Sequence, residues 1–526
     1  MRDFQTPGRS MVMAQNGMCA TSHPLAAKVA VQLLEAGGNA VDAGIATAMV
    51  LNICEPQMTG LGGDCFALLQ PAPGAGFVGL NASGRAPMGF SAARLRAAGH
   101  TAIPDQSADA VTIPGAVDGF VTLSQDHGKL PLAEVLAPAI RYAEEGVPVA
   151  PRVAFDWATS EGRLQGSAKA HYLLNGAAPK AGKVFRAPAQ AEVLRRIAAK
   201  GRAGFYEGDV AADMVDTLRA AGGSHTLEDF AATNCDYVIP ISTNYHGHTL
   251  TELPPNGQGA TALLMANILG HFDLTSLDPM GAARAHLEAE AAKLAYDARN
   301  RIIADLASSE LLAHFLSDAT AAKLAALINP DKVLVLPNHQ LESVHKETIY
   351  LTVVDKNRMA LSLIYSIFHS FGTGIATDRF GILMQNRGAG FTLAEGHSNE
   401  AAGGKRPMHT IIPGMLEKPG GFLMPFGVMG GQYQPNGHMR LMSNIVDYGM
   451  DPQAAIDAPR SFAHAGDLEI ERGYSETVRA EMAALGHHVT TPENPLGGAQ
   501  AIMIDAKTGV LIAGSDPRKD GCALGY

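Results

Sequence analysis

At residue 348 the spacing of apolar residues changes from helical to extended, and that change constrains the fold more than any other feature of the chain. Upstream, in "HPLAAKVAVQLLEAGGNAVDAGIATAMVLNIC", apolar side chains recur at three and four, with Gly37-Gly38 stopping one helix and Val41-Asp42 opening the next, an αα-hairpin. "EPQMTGLGGDCFALLQ" then runs a glycine turn into a short apolar strand. From about residue 128 to 330 the pattern is mostly helical, clearest in "PLAEVLAPAIRYAEEG", "QAEVLRRIAAKGRAGFYEG" and "AARAHLEAEAAKLAYDARNRIIAD". Residues 327–347, "LINPDKVLVLPNHQLESVHKE", mix proline, asparagine, histidine and charge without a period and read as an exposed loop. Beyond it, "TIYLTVVD" and "MALSLIYSIF" are rich in branched and aromatic residues on either side of a short polar turn, a β-hairpin. Further strands are expected at "FGILMQN", "HTIIPGM", "GGFLMPFGVMGG" and "AQAIMIDAKTGVLIAGSD".

The hairpin begins with a hydroxyl. A threonine side chain is a poor nucleophile until a base lies beside it, and a free α-amino group on the same residue is such a base, with a reference pKa of about 7.7–8.0. Inside a chain that nitrogen is an amide. Chemistry at Thr348 therefore requires the Glu347-Thr348 bond to be cut. The plainer reading is a β-branched residue at the start of a strand. If three residues, 356–358, form the hairpin loop, Thr348 faces Ser366 on one side of the sheet; a two-residue loop puts them on opposite faces.

Composition excludes several function classes. With 526 residues, of which 47% are hydrophobic, the chain can bury a large core. A net charge of −11, and no basic cluster interleaved with aromatics, argue against a nucleic-acid partner. The first residues lack the apolar run of a secretory signal, and later apolar runs are too short to span a bilayer, so a soluble, cytoplasmic protein with no membrane partner is expected. The cysteines, Cys19, Cys54, Cys65, Cys235 and Cys522, are odd in number and far apart, which fits reduced thiols. His246-Gly-His248, read as a strand, offers two ligands on one side without a third, so no metal is expected.

The stretches "ATSHPLAA", "GGNAVDA", "EPQMTGLGGDCF", "VTIPGAVDGF", "LPPNGQG", "TIYLTVVDKN", "FGTGI", "KRPMHTIIPGM" and "GSDPRKDG" follow one another in the order and spacing of a known family. The chain resembles the γ-glutamyltransferase (γ-glutamyltranspeptidase) family of N-terminal-nucleophile hydrolases from end to end. The resemblance implies an α/β fold, a four-layer αββα sandwich. It implies a precursor that cuts itself into a large fragment, 1–347, and a small fragment, 348–526, which share one core and stay associated, alone or as a homodimer. It implies Thr348 as nucleophile, Ser366 as its hydroxyl partner and Gly430-Gly431 in "GVMGGQ" as oxyanion donors. No cofactor is implied.

Other positions depart from the family pattern. Ser83 stands where the family has an arginine, with Arg85 two residues on; Phe368 replaces an asparagine, Gly390 an aspartate, and His409-Thr410 a pair of serines. Losing a buried carboxylate that grips a substrate ammonium removes roughly 2–5 kcal/mol of binding. The pattern resembles the divergent branch related to cephalosporin acylases and oxamate amidohydrolase, with Arg85, Arg387, His409 and Thr410 as substrate-contact candidates. The expected function is cleavage of an amide of a small acidic molecule through a threonyl acyl-enzyme, with hydrolysis favoured over transfer to an amine or peptide acceptor. Two other readings stand beside it: a γ-glutamyl enzyme acting on glutathione-like compounds, and an uncut, catalytically silent binding protein.

Overall fold

The computed structural model describes residues 5, 8–305, 309–335 and 348–526. Two seven-stranded sheets lie face to face. The first runs, in spatial order, Cys522–Gly525, Met18–Thr21, Ile349–Val354, Ala360–Ser366, Asp64–Gln70, Val78–Ala82, Asp236–Val238. The second runs Val12–Ala14, Leu511–Ser515, Gly498–Asp505, Phe422–Met429, Gly414–Lys418, His248–Glu252, Ile241–Tyr245.

Alternation along the strands decides what each face meets. In the central hairpin Tyr350, Val354, Ala360 and Ile364 point at the second sheet and join Met415, Met429 and Ile502 in the inter-sheet core. Leu351, Val353, Leu361, Leu363 and Tyr365 point the other way, into a core shared with the helices Pro24–Glu35, Ala40–Cys54 and Ala116–His127. The outer face of the second sheet, with Leu250, Leu416, Phe426 and Val428, packs on Gly259–Leu269, Ala282–Ile302 and Gln434–Val446. The layers are helix, sheet, sheet, helix, as the resemblance implies. Strands covered on both faces need no polar side, which is why Ile349–Val354 and Ala360–Ser366 are buried at every position.

The αα-hairpin forms where expected, and its turn explains a motif. Gly37 takes φ 98°, and Asn39 caps the second helix by accepting from the amides of Val41 and Asp42, both at 3.1 Å. Asp42 returns the bond by accepting from Asn39 N at 2.9 Å. Asp355, in the hairpin turn, accepts from Ala40 N at 3.2 Å, so the same helix start locks onto the central strands.

Several expectations are corrected. "FGILMQN" makes only the isolated bridges Ala376↔Leu383 and Gly62↔Met384, and in "HTIIPGM" the strand starts at Gly414. Both are apolar stretches that bend around the site instead of running along a sheet. The nominally helical half contributes Asp236–Val238, Ile241–Tyr245 and His248–Glu252, and the β-rich half contributes three helices, Gln434–Val446, Pro452–Asp457 and Glu476–Ala484. His246 is not in a strand but in the turn between two, with φ 48°, and its Nδ1 pairs with Asp447 at 2.9 Å. The loop expected over 327–347 is described only as far as 335. No described helix is long and apolar enough to cross a membrane.

Candidate active site

Hairpin register places the two hydroxyls. Ile349 pairs with Tyr365 and Val354 with Ala360, and Asp355 N donates to Met359 O at 3.1 Å, so the loop is the three residues 356–358. Thr348 then lies opposite Ser366, on the inter-sheet side, and its Oγ1 donates to Ser366 Oγ at 3.2 Å. Thr348 is buried.

Ser366 Oγ also accepts from Phe368 N at 2.8 Å and from Arg387 Nη2 at 3.2 Å. Arg387 Nη1 donates to Thr410 Oγ1 at 2.8 Å, and the guanidinium lies 4.0 Å from the centre of the Phe368 ring. Arg387 is fully buried, which pushes its pKa down to about 9; the field of Asp64 opposes that shift. Asp64 opens the strand next to Ser366 and is saturated: Oδ1 accepts from Gly84 N at 2.9 Å, Gly115 N at 3.1 Å and Gln385 Nε2 at 2.8 Å. Its Oδ2 faces His409 Nε2 at 3.1 Å. Ile411 N donates to His409 Nδ1 at 3.3 Å, so Nε2 carries the proton and both ring nitrogens are occupied inside the protein. Burial and the nearby Arg387 push the His409 pKa down to about 3, leaving the ring neutral.

The glycine pair ends the strand Phe422–Met429. Gly430 has φ 116° and Gly431 φ 57°, left-handed conformations that a side chain resists. Gln258 ties this turn to the rest by donating from Nε2 to Gly431 O at 2.8 Å and to Thr410 O at 2.7 Å. Thr348, Ser366, Arg387, Thr410 and Gly431 thus form one hydrogen-bonded network. A cleft of about 320 Å³ opens beside it, lined in part by Phe368, Gly390, Met408, Arg299 and Gln432.

The sequence and the fold match known proteins along nearly the whole chain. The model of the gamma-glutamyltranspeptidase family matches residues 26–526. The chain belongs to the gamma-glutamyltranspeptidase family. It is 35% identical to the glutathione hydrolase-like YwrD proenzyme of Bacillus subtilis, over 98% of this chain and 99% of that one. It is 33% identical to the oxamate amidohydrolase proenzyme of Klebsiella pneumoniae, again over 98% and 99%. The crystal structure of cephalosporin acylase from Bacillus halodurans superposes with a TM-score of 0.92 at 37% identity, covering 100% of this chain and 99% of that one.

Within this gamma-glutamyltranspeptidase-family framework, Arg85 lies apart from the network. Its guanidinium is part-exposed and reaches Asp305 at 3.3 Å, Asp236 at 3.4 Å and Gly404 O at 3.2 Å. Ser83 is held internally by Asn81 Oδ1 at 2.7 Å. Glu347, the other side of the expected cleavage point, lies outside the described residues. Sequence reasoning passed over Asp64, Gln258, Arg299 and Gln432; the available signal was a lone aspartate opening an otherwise apolar strand and a glutamine inside "LPPNGQG". Among the described residues one group has the composition of a metal site, His286, Glu290 and His487. Its histidines bond to each other at 2.7 Å, and Lys293 already sits 2.5 Å from Glu290, so its charges balance without a cation.

Proposed function

We propose that this chain is an autoprocessing amidohydrolase that cleaves an amide of a small acidic compound through an ester on Thr348. The observation that carries the reading is the buried contact between Thr348 Oγ1 and Ser366 Oγ at a strand start, with the Arg387 guanidinium on the same serine. Maturation begins when Thr348 Oγ attacks the carbonyl carbon of Glu347. The C–N bond breaks, the nitrogen becomes the α-amine of Thr348, and water hydrolyses the resulting ester to leave a carboxylate on Glu347.

In turnover the same oxygen attacks the substrate carbonyl, and the α-amine takes its proton and passes it to the departing amine. The amides of Gly430 and Gly431 stabilise the oxyanion, a contribution of about 3–4 kcal/mol per donor in comparable sites. Water, deprotonated by the amine, then releases the acid and restores Thr348. Arg387 has two parts here. Its cation disfavours protonation of the amine, keeping it in the unprotonated form at neutral pH, and it supplies positive charge where an acidic substrate binds. Relatives named as an amidohydrolase and as an acylase support amide hydrolysis, and Phe368 and Gly390 in place of polar groups support a substrate without a free glutamyl headgroup.

Intact-mass measurement under denaturing conditions tests this. Wild type yields two fragments, the smaller beginning at Thr348, and Thr348→Ala yields one inactive chain. The matured protein hydrolyses succinyl 4-nitroanilide with a higher kcat/KM than γ-glutamyl 4-nitroanilide. An uncut wild-type chain, or the reverse preference, defeats the proposal.

A further inference from the structure

Several buried arginines in this protein come with carboxylates. Arg284 and Arg440 share Glu288, each at 2.9 Å, and Arg460 meets Asp516 at 2.6 Å. Arg299 differs. It is buried in the last turn of Ala282–Ile302, yet among the described residues no carboxylate lies within ion-pair distance of its guanidinium. The helix end does not require this charge, since exposed Arg301 occupies the same turn and pairs with Asp297.

What surrounds Arg299 is a set of neutral oxygens. Nη1 donates to Gln258 Oε1 at 2.7 Å and to Gln432 Oε1, and the guanidinium stacks 4.6 Å over the Tyr296 ring. Nε and Nη2 both donate to one atom, Asn300 Oδ1, at 3.1 and 2.8 Å. That pair of N–H groups is the fork that binds a carboxylate with two parallel hydrogen bonds. Asn300 is exposed, and both Arg299 and Asn300 line the 320 Å³ cleft. Burial pushes the Arg299 pKa down to about 10, consistent with a cation that lacks a countercharge.

We infer that the Arg299 fork is a carboxylate receptor in the cleft wall, and that an anionic ligand takes it by displacing the Asn300 amide oxygen. The ligand class is an amide, or its acid product, carrying a carboxylate away from the reacting carbonyl. This deepens the function proposed above and rests on it for the identity of the cleft, while the receptor itself is read without turnover. Because Arg299 also steadies Gln258, the test changes Asn300 instead.

Isothermal titration of the purified protein with succinate, and with neutral succinamide as control, is the experiment. Wild type binds succinate and not succinamide. Asn300→Asp, which places a permanent carboxylate in the fork, weakens succinate binding at least tenfold, and Asn300→Ser, which vacates the fork, tightens it several-fold. Succinate binding that is absent in wild type, equalled by succinamide, or unchanged in Asn300→Asp overturns the inference. Failure of the proposed function shows separately, as an uncut chain or absent anilide hydrolysis with this binding pattern intact.

Discussion

Arg387 and Asp64 are two opposite charges buried near Thr348, and each makes a testable demand. If Arg387 holds the α-amine of Thr348 in its basic form, Arg387→Gln raises the amine pKa, and the acid limb of the kcat/KM profile moves up by about one pH unit. A pH–rate profile that only drops in height, without moving, assigns Arg387 to substrate binding alone. Asp64 receives three neutral donors and faces the Nε2–H of His409, so Asp64→Asn turns an amide N–H toward either a ring N–H or a backbone N–H. The expected loss is about 2–4 kcal/mol, read as a lower denaturation midpoint. Of the residues in this network, Thr348 and Ser366 could be read from strand pattern and resemblance together, because hairpin register fixes their meeting once the loop length is chosen. Arg85 could not be placed, since nothing in "NASGRAP" shows that Asp236 and Asp305 come together around it. Arg299 sits in "DARNR", a run of charge that on most helices faces water, and only the fold buries it.

The central hairpin depends on how closely the second sheet approaches it. Gly427 in Phe422–Met429 lies against Tyr350; a Cβ there would stand 2.4 Å from a ring carbon. Tyr350 OH bonds Ser362 Oγ at 2.7 Å, and Ser362 Oγ in turn reaches Phe426 O across the sheets at 3.2 Å. Gly427→Ala therefore pushes the sheets apart at the point that carries Thr348, and should cost about 1–3 kcal/mol and slow maturation, visible as residual precursor by mass. Strands with two covered faces were legible as unbroken β-rich runs. The segments misread as strands, residues 380–386 and 409–413, are equally apolar but carry the chain around the network. Their neighbourhood bends through left-handed residues such as Phe368 and Phe371, at φ 79° and 55°. Hydrophobicity reports burial there, and the absence of a sheet partner is a tertiary fact.

At the scale of the molecule, the proposed cut at Thr348 does not fall between domains. Ile349–Val354 pairs with Met18–Thr21 on one side, and Ala360–Ser366 pairs with Asp64–Gln70 on the other. The second sheet is shared as well, with Gly414–Lys418 joined to His248–Glu252. Fragments 1–347 and 348–526 should consequently elute together in size exclusion under native conditions and separate only in denaturant; early separation would contradict this sharing of sheets. The helical and extended halves seen in the sequence are thus halves of composition and not of structure, because sheet pairing between residues hundreds of positions apart leaves no local trace. If the cut is made there, interleaving also gives the peptide bond before Thr348 a temporary task. It works as a tether during synthesis, holding each fragment's unpaired strand edges near their partners until the sheets close, after which it is dispensable. Two genes encoding the pieces separately would lose that tether, and each product would meet other copies of itself before meeting its complement.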